Sequence, residues 1–113
     1  GRTVLLTGDL EGEGQALATA RPLAPVDVML APHHGAKSAN APRGPADSPE
    51  PGVMAAWARP GLVISSQRAG PTDHLRASYG RAVLDTPTSG AVTVRVHRSG
   101  VVAEAFRTGE VRV

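Results

Sequence analysis

Two short apolar runs, TVLLT at residues 3–7 and VDVMLA at 26–31, are each cut off by a residue that cannot continue a buried strand. Gly8 stops the first, and Pro32, which has no N–H for a ladder, stops the second. Between them, residues 10–20 (LEGEGQALATA) read as a helix whose acidic residues sit in the first turn, where the positive end of the helix dipole favours them. Gly12 and Gly14 weaken its start, and Pro22 and Pro25 end it. This strand-helix-strand order constrains the chain to an α/β fold. It also sets the polar residues that follow each strand, Asp9 and the pair His33–His34, at the sheet edge where ligands collect in such folds.

The rest of the pattern extends that reading. Residues 35–52 (GAKSANAPRGPADSPEPG) have no hydrophobic period and predict a long surface loop. Residues 53–58 (VMAAWA) predict a short helix before Pro60, and 61–66 (GLVISS) a third strand. After the loop 67–74, Asp73 is placed to cap a helix that runs to Tyr79 and closes at Gly80. Residues 82–84, 91–97, 101–107 and 110–113 are β, separated by TPTSG, RSG and TG. Positions 92, 94 and 96 alternate with 93, 95 and 97, the period of a half-exposed antiparallel strand, with His97 on the polar side. The expected architecture is α/β: a mixed sheet with helices on one face, then a C-terminal antiparallel meander. No segment presents itself as cover for the other face, so an exposed apolar face and dimerisation or aggregation through it are expected.

Composition narrows the chemistry. At 113 residues a single domain is expected. Only Trp57, Tyr79 and Phe106 are aromatic, so the core must be built from Val, Leu, Ile and Ala, with Trp57 as an anchor. Cysteine is absent, which excludes a disulfide framework and thiolate metal sites; a metal here needs His and carboxylate ligands. The net charge is +2, and the basic residues are spread along the chain. A solvated Arg-rich surface explains them, and a phosphate-bearing substrate is compatible with them. No apolar run approaches the roughly 20 residues needed to span a bilayer, and no signal peptide is visible. Gly1 stands directly before a strand-like run, so the chain reads as a segment of a longer protein.

A carboxylate at residue 9 and an imidazole at 33 or 34, each delivered by a strand end, suit a borderline cation such as zinc. Taken singly, Gly-Asp after a strand is an ordinary turn and a His pair is ordinary loop surface. Their joint placement favours a site. Lys37, Ser38 and Asn40 follow the pair and could touch phosphate, although a solvated loop explains them equally well. His74 and His97 read as solvent-facing, and the spacing of the glycines at 8, 12 and 14 makes no phosphate loop.

VLLTGDLEGEG followed by VDVMLAPHHGAKSAN resembles the second half of the metallo-β-lactamase-like domain of ComEC-type competence, or DNA-internalisation, proteins. AAWARPGLVISSQ and GRAVLDTPTSGAVTVRV extend the resemblance over nearly the whole chain. It implies half of an αββα sandwich, with residues 1–113 as one partial domain. It implies that Asp9 is a catalytic carboxylate bridging two metal ions, Zn2+ or Mn2+. His34 matches the terminal imidazole ligand, and His33 a catalytic group touching a ligand or the substrate; the two histidines could exchange these roles. It further implies hydrolysis of a phosphodiester in single-stranded DNA, an upstream half of the same domain, and a membrane channel domain in an integral-membrane parent. This segment would be a soluble domain at that membrane. Three departures stand out: the family's early His-x-His-x-Asp-His loop is absent, Ala36 replaces the serine after HHG, and the distal loop is reduced to RAGPTDH. They lead to the expectation of weak metal binding and little activity for the chain alone. The alternative is a non-catalytic module serving packing or single-stranded DNA binding. A lactonase- or thioesterase-like enzyme of the same fold ranks lower.

Overall fold

The computed structural model describes residues 1–113. Strands β1 (Val4–Leu5), β2 (Val28–Leu30), β3 (Leu62–Ser65) and β4 (Val83–Asp85) form a four-stranded parallel sheet in chain order. Val28 pairs with Val4 on one side and Leu62 on the other, and Val63 pairs with Val83. Parallel neighbours need a crossover. Those segments carry helices α1 (Gly12–Thr19), α2 (Lys37–Asn40), α3 (Val53–Ala58) and α4 (Asp73–Tyr79). After β4, a single turn α5 (Thr86–Ser89) leads to β5 (Val92–His97), β6 (Gly100–Ala105) and β7 (Val111–Arg112), which form a separate antiparallel sheet.

The alternation along the strands divides the core into two layers. Val26, Met29, Val63 and Val83 turn toward Met54 and Ala58 of α3 and Leu75 and Tyr79 of α4. Val28, Leu62, Ile64 and Leu84 turn the other way, onto Ala103 with Val92, Val94 and Val101. β3 is buried on both faces, which is why its Leu62–Ile64 run is apolar without alternation. Each such Val, Leu or Ile contributes about 1.5–3 kcal/mol through burial.

Two expectations are corrected here. The sheet is not mixed: parallel and antiparallel strands lie in different sheets, and residues 83–85 belong to the parallel one rather than opening the meander. The physical cause lies at the junction. Asp85 accepts a hydrogen bond from the Thr88 N–H at 2.8 Å and so caps α5. Gly90, at φ 70°, then redirects the chain. The second correction concerns the supposedly uncovered face, which the antiparallel sheet itself covers. Apolar side chains remain exposed at the β1 edge, where Val4 is 47% and the following Leu6 71% accessible, and elsewhere at Leu17, Phe106 and Val111.

Other boundaries differ in detail. The helix over residues 53–58 is found as expected. The segment 35–52 is more ordered than its composition suggests, since it contains α2 and a bridge in which Arg43 and Glu50 exchange backbone hydrogen bonds at 2.9 and 2.7 Å. Asp73 is the first residue of α4 and does not cap it; Thr72 holds that position, without a side-chain bond.

Candidate functional site

The C-terminal ends of β1 and β2 are tied together beyond the last strand pairs. The Thr7 hydroxyl donates to the Leu30 carbonyl at 2.7 Å, and the His33 N–H donates to the Gly8 carbonyl at 2.8 Å. Past this clamp, residues Pro32–Gly35 make one tight turn with an uncommon backbone. His33 (φ 49°), His34 (φ 53°) and Gly35 (φ 74°) are all left-handed. For the two histidines this costs roughly 1–2 kcal/mol each.

Side chains drawn from distant parts of the chain hold the turn. Asn40, only 2% exposed, donates from Nδ2 to the carbonyls of Pro32 and Ala36, both at 2.8 Å. Its Oδ1 accepts from the Tyr79 hydroxyl at 2.6 Å. His74 Nε2 donates to the Gly35 carbonyl at 2.6 Å. Gln15 Nε2 of α1 donates to the Ala39 carbonyl at 3.0 Å. Gly35 lies so close to β3 that a Cβ there would fall 2.0 Å from Ser65 Oγ.

Asp9 and His34 meet at the open side of this turn. His34 Nδ1 donates to the Ser66 carbonyl at 3.3 Å, and its Nε2 stands 3.7 Å from Asp9 Oδ1. With the proton of a neutral imidazole on Nδ1, Nε2 carries a lone pair. Two acceptors then face each other, and a proton or a cation between them relieves the repulsion. Both side chains are about three-quarters exposed, at 72% and 76%. They line a cavity of about 230 Å³ together with Thr7, Leu30, Ile64 and Ser66.

His33 faces the other way along α1. Its Nδ1 donates to Glu11 Oε2 at 2.9 Å, and the Ser38 hydroxyl donates to the same oxygen at 2.8 Å. The hydrogen bond to Glu11 raises the His33 pKa above its ordinary value, helped by the charges of Glu11 and, more weakly, Asp9. Reciprocally, the bonds from His33 and Ser38 lower the Glu11 carboxyl.

Of the residues singled out from the sequence, Asp9 and His34 are brought together, and His33 lies beside them in a separate ion pair. Three readings change. Asn40 is a buried scaffold residue and Ser38 a partner of Glu11, so neither is free loop surface. His74 is half-buried against the turn. His97 is exposed, as expected, and Trp57 packs on the helix-side core with its Nε1 donating to the Arg21 carbonyl. Glu11 and Tyr79 were not foreseen as part of the site. The acidic first turn of α1 hinted at the former; nothing local signalled the latter.

The donors suit a borderline cation: one carboxylate oxygen and one imidazole nitrogen. Donors bound to one tetrahedral zinc at about 2.0–2.1 Å stand roughly 3.3–3.4 Å apart, close to the observed separation. No group of three or more His, Asp or Glu side chains converges anywhere in the chain. Two donors are fewer than the three protein ligands of a catalytic zinc. No family model, curated protein or solved structure matches the chain.

Proposed function

We propose that the chain contributes one part of a divalent-metal hydrolase site in a metallo-β-lactamase-like domain of the ComEC type, acting on phosphodiesters of single-stranded DNA. The observation that carries this reading is the placement of His34 Nε2 3.7 Å from the Asp9 carboxylate at two adjacent parallel strand ends. A bound Zn2+ or Mn2+ would supply Lewis-acid activation of water and charge stabilisation. Asp9 and His34 are the residues that would hold it. The Ser66 carbonyl orients the imidazole, as a partner on the far nitrogen does for metal-binding histidines. Glu11 favours the charged form of His33 beside the cavity, where a substrate phosphate would meet it. In this reading the remaining ligands come from an upstream half of the domain, packed on the β1 edge where Val4 and Leu6 are exposed. The parent would carry a membrane channel domain; within this chain no helix is long and apolar enough to cross a membrane.

The test is a Mn2+ titration followed by electron paramagnetic resonance. The wild-type chain binds weakly, Asp9→Asn and His34→Ala lose that binding, and His97→Gln keeps it. In the full-length protein Asp9→Ala abolishes cleavage of single-stranded DNA. Equal Mn2+ binding in all four chains would sink the assignment.

The exposure of both donors favours a second reading, a non-catalytic module that holds a DNA strand. It predicts single-stranded DNA retention on filters that falls with salt and is indifferent to Asp9→Asn.

A further inference from the structure

A second cavity lies at the opposite pole, where the parallel strands begin. It measures about 730 Å³, within the range of small-ligand sites. Pro25, Ala82 and Val101 give it accessible apolar surface, over the buried Val26 and Leu62. Four arginines line it, Arg2, Arg59, Arg81 and Arg112, and Asp27 is its one acidic side chain. Asp27 is already occupied, accepting from Arg2 Nη1 at 3.0 Å and from the Thr3 N–H at 2.8 Å. Arg112 pairs with Glu110 at 2.9 Å. Four cations less these two carboxylates leave a net charge of two positive.

Besides Arg2 on Asp27, two more guanidiniums are held in place. Arg59 Nη2 donates to the Leu23 carbonyl at 2.7 Å, and Arg112 Nη1 donates to the Arg81 carbonyl. Each arginine has five N–H donors, so these bonds fix the groups and leave most donors free for an oxyanion. Neither histidine nor cysteine lines the cavity, which argues for binding rather than proton or metal chemistry. We propose that this cavity binds a compact phosphate ester of nucleoside diphosphate size, with its phosphates on Arg59, Arg81 and Arg112 and its apolar part on Pro25, Ala82 and Val101. Several arginines around one space suit a group with multiple charged oxygens better than a single carboxylate. The site stands apart from Asp9 and His34 and does not rest on the metal reading.

Calorimetric titration of the full chain with ADP, pyrophosphate and adenosine tests it. ADP binds saturably, pyrophosphate more weakly, and adenosine not measurably. Arg59→Gln with Arg81→Gln weakens ADP binding roughly tenfold or more, the loss of strong charge-assisted bonds. Asp9→Asn leaves ADP binding unchanged. Should the double variant fail to fold, Arg81→Glu alone must still weaken binding several-fold, because its side chain reverses the local charge. The proposal is overturned if ADP does not saturate, if adenosine or pyrophosphate matches it, or if the arginine variants bind as the wild type does.

Discussion

The Tyr79 hydroxyl donates to Asn40 Oδ1 at 2.6 Å across 39 positions of sequence, and through that bond α4 governs the backbone of the histidine turn. Burial pushes the Tyr79 phenol well above its ordinary pKa, so it remains a donor at any working pH. Tyr79→Phe leaves Asn40 Oδ1 without its partner and is expected to cost about 1–2 kcal/mol. Asn40→Ala frees two carbonyls and the phenol at once and is expected to cost about 2–4 kcal/mol. Urea unfolding followed by circular dichroism measures both.

Glycine is required at 35 and merely convenient at 8. Both have positive φ, but a Cβ at Gly8 meets nothing within 4 Å, whereas at Gly35 it would strike Ser65 Oγ and Gln67 Oε1. Gly8→Ala is expected to cost only the backbone strain, about 1–2 kcal/mol. Gly35→Ala adds a collision with β3, and its loss of stability should exceed that of Gly8→Ala by more than about 1 kcal/mol. Equal thermal midpoints for the two variants would contradict this account.

The His33–Glu11 pair makes stability depend on pH in a defined window. A raised histidine pKa contributes stability fully present below its ordinary value near 6.5 and lost as pH rises through the raised value. A lowered carboxyl contributes stability present above its ordinary value near 4.5 and lost as pH falls through the lowered one. The two together are complete between about 4.5 and 6.5. Glu11→Gln should therefore destabilise most in that interval and little near pH 9. In an NMR titration the His33 pKa should drop back toward its ordinary value. A His33 titration unmoved by Glu11→Gln would dissociate the pair.

Exposed Val4 stands on an edge strand with one unpaired side, and exposed Leu6 follows directly after it. Such edges invite pairing with a second chain. The chain is expected to associate weakly with itself in sedimentation velocity runs at rising concentration. Val4→Thr with Leu6→Ser should reduce that association while leaving the far-ultraviolet spectrum intact.

Strands β1, β2 and β3 were legible because each is an apolar run closed by Gly, Pro or a polar residue, and α3 because Pro60 stops it; the place of residues 83–85 in the same sheet was not. The closeness of Asp9 and His34 was legible for the same reason: a side chain just past a strand end has few places to go. The separation of the second sheet was not, since alternation along residues 92–97 says that one face is buried without saying against what. The burial of Asn40 depends on Tyr79, which local sequence cannot announce. The left-handed backbone of His33 and His34 was equally hidden, because that conformation is normally signalled by glycine or asparagine.

Those two left-handed imidazoles set stability against chemistry within one tight turn. Glycine adopts the same angles without a steric penalty, and neither imidazole belongs to the buried core. A laboratory selection for heat resistance alone would thus be drawn to His34→Gly and, where the Glu11 pair is weak, to His33→Gly. The chains that survived the highest temperature would be those that had discarded the ring facing Asp9 and the ring paired with Glu11.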